Sequence, residues 1–158
     1  EAVPDNSDND WEDMIDTNIK GMAYVAREVA RGMRERGGGQ IINMGSTAGK
    51  QAYAGGAIYC ATKHAVDAFT KGLRLDLLGT GVKVSAIHPG LVETEFSNVR
   101  FHGDDQRADD TYRGMTPLTG ADVAEAIYFM ATRPAHVNVA DLVLMPLAQG
   151  DASTVVRG

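Results

Sequence analysis

The sequence predicts an α/β fold in which a parallel sheet is covered by helices on both faces. Long stretches with apolar residues at the 3.6-residue helical period alternate with short, mostly apolar runs that read as buried strands. Segments rich in glycine or proline end most of these elements.

The first helix is predicted from about Asp8 to Arg36, with Trp11, Met14, Ile15, Ile19, Met22, Val25, Ala26, Val29 and Met33 following the helical period. Ser7 or Asp8 can cap its start, and Gly37-Gly38-Gly39 ends it. Gly21 inside it weakens the helix by about 1 kcal/mol relative to alanine, so a bend or close contact is expected there. Gln40–Met44 reads as a strand, followed by a Gly/Ser/Thr-rich loop to about Gly56. The second long helix spans about Ala57 to Leu78, with Ala61, Ala65, Ala68, Phe69, Leu73 and Leu77 assigned to the core. Val82–Ile87 is the next strand, ended by His88-Pro89-Gly90. The pattern then dissolves from Leu91 to about Leu118, a length typical of a lid, a binding loop or disorder. Thr119 or Asp122 can cap a helix from Ala121 to Thr132, Asp141–Pro146 reads as a last short strand, and the tail after Gln149 is polar. Three strands are few for such a sheet, and further strands before residue 1 would complete it.

The 158 residues suffice for one domain with a real core. Fifteen basic against 21 acidic residues give a charge of −6, which argues against a general nucleic-acid binder. No apolar stretch approaches the ~20 residues of a membrane span, and the acidic N-terminus lacks the regions of a signal peptide. A lone cysteine, Cys60, cannot form an internal disulfide, so a reducing, cytoplasmic setting is the default.

In Tyr59-Cys60-Ala61-Thr62-Lys63 the phenol and the ammonium stand at i and i+4, on one helix face with Cβ atoms about 5–6 Å apart. A nearby ammonium favours the phenolate and lowers the tyrosine pKa from its reference near 10, giving an acid or base useful closer to neutrality. Ser46 follows the strand ending at Met44, where its hydroxyl can donate to an oxygen that is carbonyl in a ketone and alkoxide-like in the transition state. Asn18 can order a water or a backbone group behind Lys63. The spacing Tyr-x-x-x-Lys alone is weak evidence, since many helices contain it by chance. His64, His88, His102 and His136 have no metal-ligand spacing and read as structural or surface residues, so no metal is expected. Cys60 reads as a small packed helix residue.

The combination is more specific than its parts. Asn18 with Gly21, Ile41-Ile42-Asn43-Met44-Gly45-Ser46, Tyr59 with Lys63, and Val84 to Gly90 ending in His-Pro-Gly occur in one order. In this order the chain resembles the short-chain dehydrogenase/reductase superfamily from about Trp11 to Gln149. The resemblance implies the C-terminal portion of a Rossmann-type, doubly wound parallel sheet whose first four strands are absent from the chain. Residues 1–158 would then be the catalytic part of a single domain, with 91–118 as its substrate loop. It also implies a catalytic tetrad on Asn18, Ser46, Tyr59 and Lys63. Tyr59, Lys63, Pro89, Gly90, Val92 and Thr94 would contact the nicotinamide end of the cofactor, and Ser46 and Tyr59 would contact the substrate. Gly45–Gly49, Tyr53–Gly56, Thr94–Phe101 and Arg133–Asn138 resemble the 3-hydroxy acid (serine or allo-threonine) dehydrogenases. That implies NADP as cofactor, with NAD possible, a cytoplasmic enzyme, and a homo-tetramer or homo-dimer. Arg100 can pair with a substrate carboxylate, although a solvated arginine fits the sequence equally well.

Two family features are missing: the glycine-rich Thr-Gly-x-x-x-Gly-x-Gly turn and the Asn-Asn-Ala-Gly segment. Gly37-Gly38-Gly39 does not replace the turn, because it precedes a strand where a phosphate-binding turn follows one and opens a helix. The expected activity is hydride transfer between a nicotinamide and a short 3-hydroxy acid. Two rivals are a 3-oxoacyl or other short-chain carbonyl reductase, and an inactive fragment serving as an interaction module.

Overall fold

The computed structural model describes residues 2–5, 7–97, 103 and 105–158. Its elements run α1 (Asp8–Ile15), a π turn (Asp16–Gly21), α2 (Met22–Glu35), β1 (Gly39–Met44), α3 (Ala57–Asp76), β2 (Val82–Pro89), α4 (Asp105–Tyr112), α5 (Gly120–Ala131) and β3 (Asp141–Leu144). The three strands form one parallel sheet in the order β1-β2-β3.

Period-2 alternation builds the layers. Ile41 packs with Ala30, Leu77 and Val84 in one core, whereas Ile42 packs against the other, around Ile87, Val123 and Met130. The first core lies between the sheet and α2–α3, and the second lies beneath α5. Both faces of the sheet are therefore covered, as the apolar strands require. Each fully buried apolar side chain of Ile87 or Met130 size contributes about 1.5–3 kcal/mol.

Three expectations change. The first helix is interrupted by the π turn, which ends at Gly21, where a bend was expected. A Cβ at Gly21 would stand 3.3 Å from the Asp16 carbonyl oxygen. In α2 the buried positions are Ala26, which lies on the predicted face, and Ala30, while Val25 and Val29 are exposed. In α3 the buried face is Cys60, Thr62, Val66 and Thr70; Ala61 and Ala68 are exposed. Threonine is tolerated there because its hydroxyl binds the helix itself, as Thr70 does to the Val66 carbonyl at 2.7 Å, while accepting from the Asn43 amide of β1 at 2.9 Å. The segment 91–118 is not structureless: it contains α4 and a bridge between Val92 and Leu118. The charged residues of α4 leave little apolar period, so local pattern did not reveal this helix.

Thr119 caps α5 through a reciprocal box with Asp122, as the sequence suggested. Ser7 occupies the N-cap position of α1 without a side-chain bond.

Candidate active site

The β1–α3 connection begins with Ser46, whose extended backbone caps a short 3-10 turn (Thr47–Gly49). Its Oγ accepts a hydrogen bond from the Ala48 amide at 3.1 Å. That contact occupies one oxygen lone pair and leaves the hydroxyl proton for a substrate oxygen. The turn rests on α3: a Cβ at Gly49 would stand 2.6 Å from the Lys63 carbonyl oxygen, so only glycine allows the approach.

Tyr59 and Lys63 stand one helical turn apart on α3 and line the same cavity as Ser46. Lys63 Nζ lies 5.9 Å from the Tyr59 ring centroid and donates to the Met44 carbonyl at 3.1 Å. The ring of Tyr59 packs against Phe96 at a centroid distance of 5.6 Å. Burial pushes the Lys63 ammonium below its ordinary pKa.

These side chains line a cavity of about 510 Å³ whose opposite wall is the segment after β2. Ser46, Tyr59, Lys63, Pro89, Gly90, Val92 and Thr94, all singled out by sequence, meet on it. Asn18 is not among the lining residues. It sits in the π turn, and its amide donates to Thr62 Oγ1 at 3.2 Å, whose hydroxyl donates to the Tyr59 carbonyl at 2.8 Å. Its link to the site therefore runs through buried Thr62. Arg100 lies outside the described residues.

The structure adds residues that sequence reasoning passed over. Gln149, which the sequence places just before a polar tail without assigning it a role, is buried; its Oε1 accepts from Leu91 N at 2.8 Å and packs so closely on Gly90 that a Cβ there would collide with it. Gln149 thus holds the Pro89-Gly90-Leu91 wall. Tyr112 of α4 reaches the same wall, donating to the Val92 carbonyl at 2.8 Å and pairing with Ser97 at 2.8 Å. Phe96 falls in the Thr94–Phe101 block that carries the family resemblance, but nothing in that block announces its packing on the Tyr59 ring.

The family model of the short chain dehydrogenases matches residues 1–105. The chain belongs to the short-chain dehydrogenase family. The NADP-dependent 3-hydroxy acid dehydrogenase YdfG of Escherichia coli K12 is 55% identical over 149 residues, which cover 94% of this chain and 60% of that protein. The NADP-dependent 3-hydroxy acid dehydrogenase of Schizosaccharomyces pombe is 44% identical, over 99% of this chain and 61% of its own length. Among solved structures, the closed form of a serine dehydrogenase complexed with NADP+ superposes with a TM-score of 0.94 at 52% identity, covering 100% of this chain and 64% of that one. The chain thus spans about three fifths of the length of the curated relatives it matches. Among the described residues no helix is long and apolar enough to cross a membrane.

Proposed function

We propose that the protein is an oxidoreductase that moves a hydride between NADP and the hydroxyl-bearing carbon of a short 3-hydroxy acid, such as serine or allo-threonine. One observation carries this reading: Ser46, Tyr59 and Lys63 converge on a single cavity whose other wall is Pro89–Thr94. The names of the relatives at 55% and 44% identity support both cofactor and substrate class.

The cavity suits the nicotinamide end of NADP. It is mostly apolar in its lining and falls within the about 300–1,000 Å³ typical of ligand pockets, and the Lys63 ammonium on that lining would meet the ribose hydroxyls. Tyr59, Lys63, Pro89, Gly90, Val92 and Thr94 would hold that end. NADP, when bound, supplies the hydride acceptor. In the oxidation direction Ser46 donates its hydroxyl proton in a hydrogen bond to the substrate oxygen and holds it beside Tyr59. Tyr59 Oη takes the proton leaving that oxygen, and the Lys63 ammonium stabilises the phenolate that accepts it. In reduction the same groups return the proton. Asn18 supports the arrangement by bonding Thr62, which holds the backbone of Tyr59. A homo-tetramer or homo-dimer would cover Tyr24, Val25 and Val29, which α2 leaves exposed.

The test is substrate-dependent NADP reduction by the protein expressed from its complete reading frame. Tyr59→Phe is expected to lower kcat by at least about 100-fold, the usual worth of a general acid–base group, with NADPH binding retained. Undiminished turnover would overturn the assignment of Tyr59. Faster reduction of a 3-oxoacyl thioester than oxidation of any 3-hydroxy acid would replace the substrate class.

A further inference from the structure

His88 is fully buried at the end of β2, directly before the cavity-lining Pro89 and beside the turn that carries Ser46. A Cβ at Gly45 would overlap its imidazole, so the ring packs against the residue preceding Ser46, and it also contacts the Ser46 backbone. Its Nε2 stands 2.6 Å from Asp141 Oδ1 of β3 and 3.7 Å from Asp67 Oδ1 of α3. Both carboxylates lie within 4.0 Å of the ring nitrogen, and neither ring nitrogen makes a well-aligned hydrogen bond among the described residues. Lys50 links the two carboxylates, at 2.9 Å from Asp67 Oδ1 and 2.7 Å from Asp141 Oδ2, and Lys71 adds a second cation on Asp67.

A histidine and two carboxylates with donor atoms within 4.8 Å have the composition of a metal site. Here the Lys50 ammonium already bridges the carboxylates and together with Lys71 balances their charge, and the buried ring is left with one task, to fix what it touches. Burial pushes the His88 pKa down, and Lys50 adds to that, against Asp141 and Asp67, which raise it. A neutral imidazole suits a packed position beside a glycine.

We propose that His88 is a positioning residue for Ser46: clamped by Asp141 against Gly45, its ring sets where the serine hydroxyl stands in the cavity. The Lys50–Asp67–Asp141 cluster holds the clamp from a turn, a helix and a strand. The inference rests on Ser46 having the role given above, and the experiment separates the two.

The experiment is a double-mutant cycle on kcat with Ser46→Ala, His88→Ala and the double variant, in the protein expressed from its complete reading frame, with NADP and a 3-hydroxy acid. Misplacing a reacting group by about 1 Å can cost 10²-fold, so His88→Ala is expected to lower kcat by about 10- to 100-fold with KM for NADP changed less than about twofold. If His88 acts through Ser46, the double variant falls no more than about threefold below Ser46→Ala alone, because two members of one unit do not add. A loss equal to the product of the two single losses overturns the proposal, since a merely structural defect multiplies. Unchanged kcat in Ser46→Ala overturns the serine's role first, and with it this one. Should His88→Ala not accumulate folded, Asp141→Asn, at a half-exposed position, replaces it in the same cycle under the same criteria.

Discussion

Replacing Thr62 with valine tests how the π turn is coupled to the site. Thr62 is fully buried on α3, and its hydroxyl accepts from Asn18 Nδ2 at 3.2 Å while donating to the Tyr59 carbonyl at 2.8 Å. Valine has nearly the same shape, so packing is conserved and the hydroxyl alone is removed. Each neutral hydrogen bond contributes about 1 kcal/mol net, and a half-buried Asn18 amide left without its partner adds part of a desolvation penalty of about 1–3 kcal/mol. The Tyr59 carbonyl keeps its place in the helix ladder, so its share is at the low end. The sum is a destabilisation of about 2 kcal/mol, partly offset by the added methyl. Equilibrium unfolding in guanidinium chloride measures it, as a lowered midpoint at unchanged slope. Asn18→Ala completes a cycle, in which the pair should couple by at least about 0.5 kcal/mol. A Thr62→Val protein within about 0.5 kcal/mol of the parent, or additive single effects, would refute the coupling.

Two other predictions concern ionisation. Because burial lowers the Lys63 pKa, the folded state binds that proton more weakly than the unfolded chain. Stability therefore rises with pH between the lowered folded value and the ordinary lysine value near 10.5, and at neutral pH the charged amine is a burden. Lys63→Met is expected to abolish turnover with an unfolding midpoint at pH 7 no lower than the parent's; a clear fall in midpoint would contradict this. Asp151 is held at about 2 by the amides of Ser153 and Thr154. Its stabilisation of the tail is present above the ordinary value of 3.8 and lost as pH falls through about 2. NMR titration of the Ser153 and Thr154 amides should follow that low midpoint, and a transition near 3.8 would refute it.

The legible parts of this molecule are those in which cause and effect lie within a few residues. Tyr59 and Lys63 share a face because any helix superposes i and i+4. The Thr119–Asp122 cap closes within one turn, and the runs around Ile41, Val84 and Leu142 read as strands because their apolar content leaves few alternatives. Even the break at Gly21 had a local cue.

Other features are set by contacts between distant segments. Gln149 binds Leu91 across 58 residues, and nothing near it in sequence separates it from a solvated tail residue. Asp67, His88 and Asp141 come from a helix and two strands, with no shared spacing to announce the cluster. The choice between Ala61 and Thr62 as the buried residue of α3 likewise depended on what lay opposite: the Asn18 amide rewards a hydroxyl, which alanine cannot supply. Sequence by itself therefore determined most of the elements, the family and the candidate site residues, because propensity, period and capping act within a turn or two of chain. Tertiary structure decided which faces are buried, what packs beside the Ser46 turn and what holds the cavity wall, because a polar group's burial is settled by its partner across the fold.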